Sequence, residues 1–105
     1  MVDATGFTLD AEDRAVVSGD LTLDTVAGLY RQSSEVLARA SGKLRSLDLA
    51  GVGRVDSSGL ALLLQWEAAT GCESLEVRNA PDDLVSLARL CDAQDLLRLN
   101  GRDPA

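Results

Sequence analysis

Two hydroxyl groups and a carboxylate stand together in the segment Asp56-Ser57-Ser58-Gly59. A serine can act as a nucleophile or accept a phosphate, and a helix beginning here would offer unpaired backbone N–H groups that favour anions. The plainer interpretation is that Ser57 or Ser58 is an ordinary helix cap, worth about 1 kcal/mol, and that Asp56 adds a favourable contact with the helix dipole. Taken alone, the four residues are better explained by capping, so a functional site needs support from elsewhere in the chain.

A catalytic role for these serines lacks its usual partners. The chain contains no histidine, which removes the common general base and every zinc site built with histidine. Val55 stands where a nucleophile elbow needs a glycine two residues before Ser57. Gly51 and Gly53 lack the third glycine of a dinucleotide-binding loop, and no phosphate-loop sequence follows. We therefore expect no enzymatic activity, no cofactor and no metal.

Composition limits the partners that the protein can have. Ten basic and 17 acidic residues give a formal net charge of −7 over 105 residues, which repels nucleic acids and acidic lipid headgroups. The length fits a single domain over residues 1–105, with a core over about residues 7–99. The longest apolar run, Gly59–Leu64, is far shorter than the ~20 residues of a membrane span. Without a secretory signal pattern at the N-terminus, we expect a cytoplasmic protein that does not insert into membranes.

Hydrophobic periodicity predicts alternating strands and helices. We expect a hairpin over 7–9 and 15–18, a helix from Thr22 to Gly42, a strand over 44–49 bounded by Gly51-Val52-Gly53, a helix over 59–70 ending at Gly71, and a strand over 75–78. Asn79-Ala80-Pro81-Asp82-Asp83 predicts a third helix with a capping side chain. The segment 94–99 fits either a helical turn or an edge strand. The order implies an α/β fold, a small mixed sheet of about four strands with helices packed on it.

The second predicted helix is apolar all the way round, since five successive positions from Leu60 to Leu64 are apolar. A sheet can cover only one side of such a helix. Two interpretations are equally open: the helix is wedged deep in the core, or Leu62 and Trp66 belong to a docking face in which Trp66 is an anchor. We expect both cysteines, Cys72 and Cys91, to be small buried hydrophobic residues.

The string Asp56-Ser57-Ser58-Gly59-Leu60 resembles the phosphorylation loop of STAS domains, the fold shared by sulfate-transporter tails and anti-sigma-factor antagonists. The resemblance covers about residues 15–99. Ser18-Gly19-Asp20-Leu21 is similar to the turn before the first helix of the family, and Leu47-Asp48-Leu49 to the strand before the loop. The resemblance implies a STAS-type fold.

Within this family the chain looks most like the cytoplasmic STAS subunit of Mla phospholipid-transport ABC complexes, which maintain outer-membrane lipid asymmetry in Gram-negative bacteria. The likeness lies in the strings Arg54–Leu64 and Leu84–Leu90. It implies a non-enzymatic accessory subunit that binds the ABC ATPase and, through it, the membrane permease, so that the chain is peripheral to the inner membrane. The residues expected at the contact are Ser57 first, then Asp56, Ser58, Gly59, Leu62 and Trp66.

Two alternatives remain. The chain could be an anti-sigma-factor antagonist, in which a serine kinase phosphorylates Ser57 and so releases itself. A small enzyme with carboxylate chemistry at Asp48 and Asp56 is the weakest alternative, because turn and cap roles explain both aspartates equally well.

Overall fold

The computed structural model describes residues 6–11, 13–40, 43–70, 75–93 and 97–101. These residues form a five-stranded sheet in the order β1-β2-β3-β4-β5. The elements in chain order are β1 Gly6–Ala11, β2 Arg14–Leu21, α1 Val26–Ala40, β3 Ser46–Val55, α2 Ser57–Thr70, β4 Glu76–Ala80, α3 Asp82–Leu90 and β5 Arg98–Gly101. Strands β1 and β2 form an antiparallel hairpin, and the other neighbouring pairs are parallel. The predicted α/β class and mixed sheet are confirmed.

The segment at the C-terminal end, for which the sequence left two options, contributes an edge strand. Residues 98 and 99 lie in β5, where Arg98 pairs with Glu76 and Leu99 with Val77. The sheet therefore has five strands, one more than the approximate number predicted.

The helices cover one face of the sheet. Ala15, Val17, Leu47, Leu49 and Val77 are fully buried, while the residues between them along each strand are partly or fully exposed. This alternation is typical of a sheet with one covered and one solvent-facing side. Helix α2 lies in the middle of the helical layer and contacts both α1 and α3.

The central strand β3 is longer than predicted. The glycines expected to end it lie inside the strand, where Gly51 pairs with Ser18 and Val52 with Gly19. A Cβ atom on Gly51 would lie 3.3 Å from the Ser18 Cβ atom, so a glycine relieves crowding beside an irregularity in the register of β2 and β3. Strand β3 consequently carries the chain without a break to Val55, directly before α2.

The first helix begins later than predicted, at Val26 rather than at Thr22. Residues 22–25 form a turn in which the Thr25 hydroxyl accepts a hydrogen bond from the Thr22 N–H at 3.0 Å and donates one to the Asp20 carbonyl at 2.6 Å. The Thr22 hydroxyl, the expected cap, takes part in neither bond, and the Thr25 side chain instead fixes the turn that precedes the helix. The predicted end at Gly42 lies outside the described residues, as does Gly71 after the second helix.

The start of the third helix also differs from the prediction. Pro81 occupies the N-cap position and makes no side-chain cap hydrogen bond. Asn79, the expected cap, has a φ of 56° and donates its side-chain amide to the Asp48 carboxylate at 2.9 Å. Asp82 and Asp83 do occupy the first turn, as predicted.

Two further observations concern the surface of the described residues. Cys91, predicted to be buried, is an exposed free thiol at the end of α3, because the helix turns its Leu84 and Ala88 face towards the core instead. Cys72 lies outside the described residues.

In the part of the chain that the structure describes, every helix is too short or too polar to cross a membrane.

Candidate functional site

Asp56 is the residue that caps α2. One carboxylate oxygen, Oδ1, accepts hydrogen bonds from the backbone N–H groups of Ser58 at 2.9 Å and Gly59 at 3.2 Å. The other oxygen, Oδ2, accepts one from the N–H of Leu23 at 3.1 Å. The Leu23 bond, with the two capping bonds, holds the pKa of the Asp56 carboxyl below its ordinary value. The capping role that the sequence assigned to a serine therefore belongs to the aspartate.

Ser57 is exposed at the first position of α2. Its hydroxyl has no hydrogen-bond partner among the described residues, since Asp56 already satisfies the first N–H groups of the helix. Ser58 is half-buried on the side that faces α1. The Ser57 hydroxyl is consequently available to a partner protein or to a modifying enzyme.

Gly59 allows the start of α2 to approach the end of β2 closely. A Cβ atom at this position would lie 2.2 Å from the Leu21 carbonyl oxygen and 2.7 Å from the Leu21 Cβ atom. The same carbonyl accepts a hydrogen bond from the Asp56 N–H at 3.1 Å. The backbone that presents Ser57 is thus anchored to the sheet, and Gly59 serves this packing rather than a contact with a ligand.

Trp66 is a core residue, with 1% of its surface exposed. Its indole N–H donates to the Ser33 hydroxyl at 2.7 Å, and its ring centroid lies 4.9 Å from that of Phe7. The interpretation of Trp66 as an exposed interface anchor is therefore wrong, because the side chain packs in the core between α1, α2 and β1. Leu62 is 5% exposed and contributes only to the floor of the surface described below.

The exposed face of α2 is formed by smaller residues than Leu62 and Trp66, the residues of the possible docking face. Ser57, Ala61, Gln65 and Ala68 are exposed, and their spacing of three or four residues places them on one side of the helix. The leucines around them are buried or half-buried. The sequence does contain a pattern that predicts this exposed face, because small and polar residues recur at helical spacing from Ser57. The run of leucines between them makes the pattern hard to recognise.

A groove of about 370 Å³ lies between α1 and α2, directly beside the serines. The residues that line it are Val26, Ala27, Tyr30, Ser58, Ala61, Leu62 and Gln65. Tyr30 is 46% exposed although it is large and largely apolar. The groove therefore offers an apolar surface that begins next to Ser57.

An acidic basin of about 390 Å³ borders the same helix start on its other side. Its charged residues are Asp20, Asp24, Asp56, Asp83 and Arg54, so carboxylates exceed guanidinium groups there by three. Leu23, which is 73% exposed, also lines the basin. Sequence reasoning missed Leu23, because the turn of residues 22–25 was predicted to be the first turn of a helix.

Asp48 does not join Asp56 in one site. The two residues lie near opposite ends of β3, about 26 Å apart at the usual rise of a strand. Asp48 accepts hydrogen bonds from the Asn79 side chain at 2.9 Å and the Ala50 N–H at 3.0 Å. The Asn79 bond is the largest cause of its lowered pKa. Both bonds are structural, and the separation means that Asp48 and Asp56 do not form a carboxylate pair for acid and base catalysis. Among the described residues, no group of three potential ligands is placed to hold a metal ion.

A mixed five-stranded sheet with a serine-bearing helix start directly after its central strand defines an α/β domain of the STAS type. A family model described as "Mlab, STAS domain" matches residues 7–98, and the chain belongs to this family. STAS domains are generally non-catalytic regulatory domains, and the match supports an accessory role in Mla-type transport. No curated protein matches the chain at a significant level.

Proposed function

We propose that this chain is a non-enzymatic accessory subunit of a bacterial ABC phospholipid transporter that maintains outer-membrane lipid asymmetry. It binds the cytoplasmic ATPase subunit through the start of α2 and so lies peripheral to the inner membrane, in contact with the permease only through the ATPase. The family match supports the class of complex. The observation that carries the contact itself is the exposed Ser57 hydroxyl, which no intramolecular bond occupies among the described residues.

The contact surface is held by hydrogen bonds and close backbone packing in the free protein, which favours binding. Asp56 fixes the turn at Leu23 and the first N–H groups of α2 at once, and Gly59 sits directly on the Leu21 backbone. Little conformational entropy is lost when such a surface is bound. The subunit supports assembly and activity of the ATPase by binding one of its conformations more tightly than the others, since a ligand shifts an equilibrium only by its difference in affinity.

Co-purification tests this function. The affinity-tagged chain is expressed with its cognate transporter operon, the membranes are gently solubilised, and the retained proteins are identified by mass spectrometry. We expect the ATPase to be retained by the native chain and lost with Ser57→Asp. Ser86→Asp is the matched control, because Ser86 is an exposed serine on α3. Absence of any ATPase with the native chain overturns the proposal.

A second candidate is an anti-sigma-factor antagonist regulated by a serine kinase. It is favoured by the same exposed hydroxyl, since a phosphate at the first position of a helix is stabilised by the helix dipole. Incubation with the cognate serine kinase and ATP, followed by mass spectrometry, separates the two candidates. Stoichiometric phosphorylation of Ser57 supports the antagonist, and an unmodified Ser57 supports the transporter subunit.

A further inference from the structure

The groove between α1 and α2 extends well beyond the serines. A second section of about 300 Å³ lies next to the first, nearer the C-terminal ends of both helices. Tyr30 and Gln65 line both sections. The lining residues on α1 run from Val26 to Ala38, a distance of about 18 Å at 1.5 Å per residue, or about three helical turns.

Part of the wall of this groove is formed by small side chains, beside larger ones such as Tyr30 and Gln65. Ala27 and Ala38 on α1, and Ala61 and Ala69 on α2, are all exposed and line one or the other section. Small residues let the backbone of another segment approach closely, and Leu62 provides an apolar floor. An apolar trough of this length between two helices fits the apolar face of a third helix.

The two ends of the groove differ in charge. Asp24 and Asp56 of the acidic basin are two residues from the groove-lining Val26 and Ser58, respectively, so the basin adjoins the groove at the serine end. At the other end of α1, Arg39 lies 4.0 Å from Glu35, and this pair is formally neutral. A segment lying along the groove is therefore favoured if its serine-side end is basic.

A second copy of this chain is a poor occupant. Each copy has a net charge of −7. The start of α2 in each copy also adjoins its own acidic basin. Two copies in contact through this face would bring like charges together. Because the surface beside the groove is acidic, it favours a partner segment that carries basic residues.

We infer that the α1–α2 groove binds one amphipathic helix of about three turns from the ATPase subunit, with its apolar face in the groove and a lysine or arginine over the acidic basin. The inference rests on the proposed function, since it names the part of that partner which is bound. It adds a binding surface on α1 and along α2 to the contact expected at Ser57.

Site-specific photo-crosslinking tests the placement of the helix. A photoreactive phenylalanine analogue replaces Ala61 or Ala38 in the full chain, co-expressed with the cognate ATPase. We expect both positions to crosslink to one ATPase segment that has helical apolar periodicity and a basic residue nearer the Ala61 crosslink. Ala68, exposed on α2 but outside both groove sections, is the control and should crosslink poorly. Crosslinks to separate segments, to a second copy of the chain, or to a segment without basic residues overturn the inference.

A charge substitution tests the energetics. Ala61→Glu should weaken ATPase binding about tenfold or more, because it places a charge in a desolvated contact, whereas Ala68→Glu should change it less than about twofold. Equal melting curves for the two variants exclude misfolding as the cause. Asp24→Asn should reduce the salt dependence of binding.

The outcomes distinguish the inference from the proposed function. If the native chain retains no ATPase, the proposed function fails and the inference fails with it. If the ATPase is retained and the two glutamate variants bind it equally well, only the groove inference is overturned.

Discussion

The Asp56 carboxylate accepts a hydrogen bond from the backbone N–H of Leu23 at 3.1 Å, across 33 positions of sequence. Because its other oxygen caps α2, one side chain fixes an exposed leucine and the exposed Ser57 relative to each other. Two exposed features of the site are thus held in place by a group that need not contact a partner.

Substitution of this carboxylate should change the acid stability of the protein. The pKa of Asp56 is lowered in the folded state, so the ionised form stabilises the fold. This contribution is complete above the ordinary aspartate pKa of about 3.9 and is lost as the pH falls through the lowered folded value. Asp56→Asn should therefore be less stable than the native chain at pH 7, and the difference should shrink below about pH 4.

Urea unfolding followed by circular dichroism from pH 7 to pH 3 measures this difference. Asp48, whose pKa is also lowered, loses its own contribution in the same range in both proteins, so the comparison cancels it. A stability difference that stays constant down to pH 3 would contradict the role of the ionised carboxylate.

Gly59→Ala should destabilise the protein strongly. The added methyl group meets the Leu21 backbone at 2.2 Å, which no rotamer change can relieve, so we expect a loss of about 3 kcal/mol. Gly28→Ala is the matched control: it also replaces a helical glycine, but nothing lies within 4 Å of the added atom. It should stabilise the protein by up to about 1 kcal/mol. If chemical denaturation gave the same change in the free energy of unfolding for both variants, the contact between position 59 and the Leu21 backbone would not be tight.

Removal of the Ser33 hydroxyl should destabilise the core. This hydroxyl accepts from the Trp66 indole at 2.7 Å and donates to the Tyr30 carbonyl at 2.9 Å. Ser33→Ala leaves a buried indole N–H without a partner, and we expect a loss of about 1 to 3 kcal/mol. Ser34→Ala, which removes an exposed hydroxyl bonded to the same carbonyl, should cost less than about 0.5 kcal/mol. Thermal unfolding compares them, and a similar loss for both would refute the buried role.

A negative charge at Ser57 should affect binding without affecting folding. Ser57→Asp places a carboxylate at the first position of α2, where the dipole favours it although Asp56 opposes it. We expect a melting temperature close to that of the native chain and a clear loss of ATPase binding in a pull-down. Ser57→Ala should fold equally well and reports whether the hydroxyl itself is needed. A large drop in melting temperature for either variant would mean that Ser57 is structural.

The order of strands and helices could be predicted because each element carries its own periodicity, and the site loop could be located because Asp56 and its neighbours follow a buried strand. The exposed face of α2 could not be predicted in the same way. A helix that is apolar all round has no periodic pattern that would show that Leu63 is buried and Ala61 exposed. Burial of Trp66 depends on Ser33 and Phe7, both far away in the chain. No local pattern reveals such partners.

Asn79 shows the same limit at smaller scale. Its position before Pro81 and two aspartates is typical of a helix start, and the helix is indeed there. The side chain instead bonds to Asp48 on the adjacent strand, 31 positions earlier. A local motif predicted the element correctly and the hydrogen bond incorrectly, because the competing acceptor became available only through the pairing of β3 with β4.

Within the described residues, the three helices lie on one side of the sheet, and strand residues on the opposite side are exposed. Ala50 and Arg78 are exposed, and each is one or two positions from a core residue on its strand. A dye or an immobilisation handle attached at Ala50 would point away from the helical layer. Binding kinetics could then be followed on a surface or by fluorescence without obstructing the side that we propose contacts the ATPase.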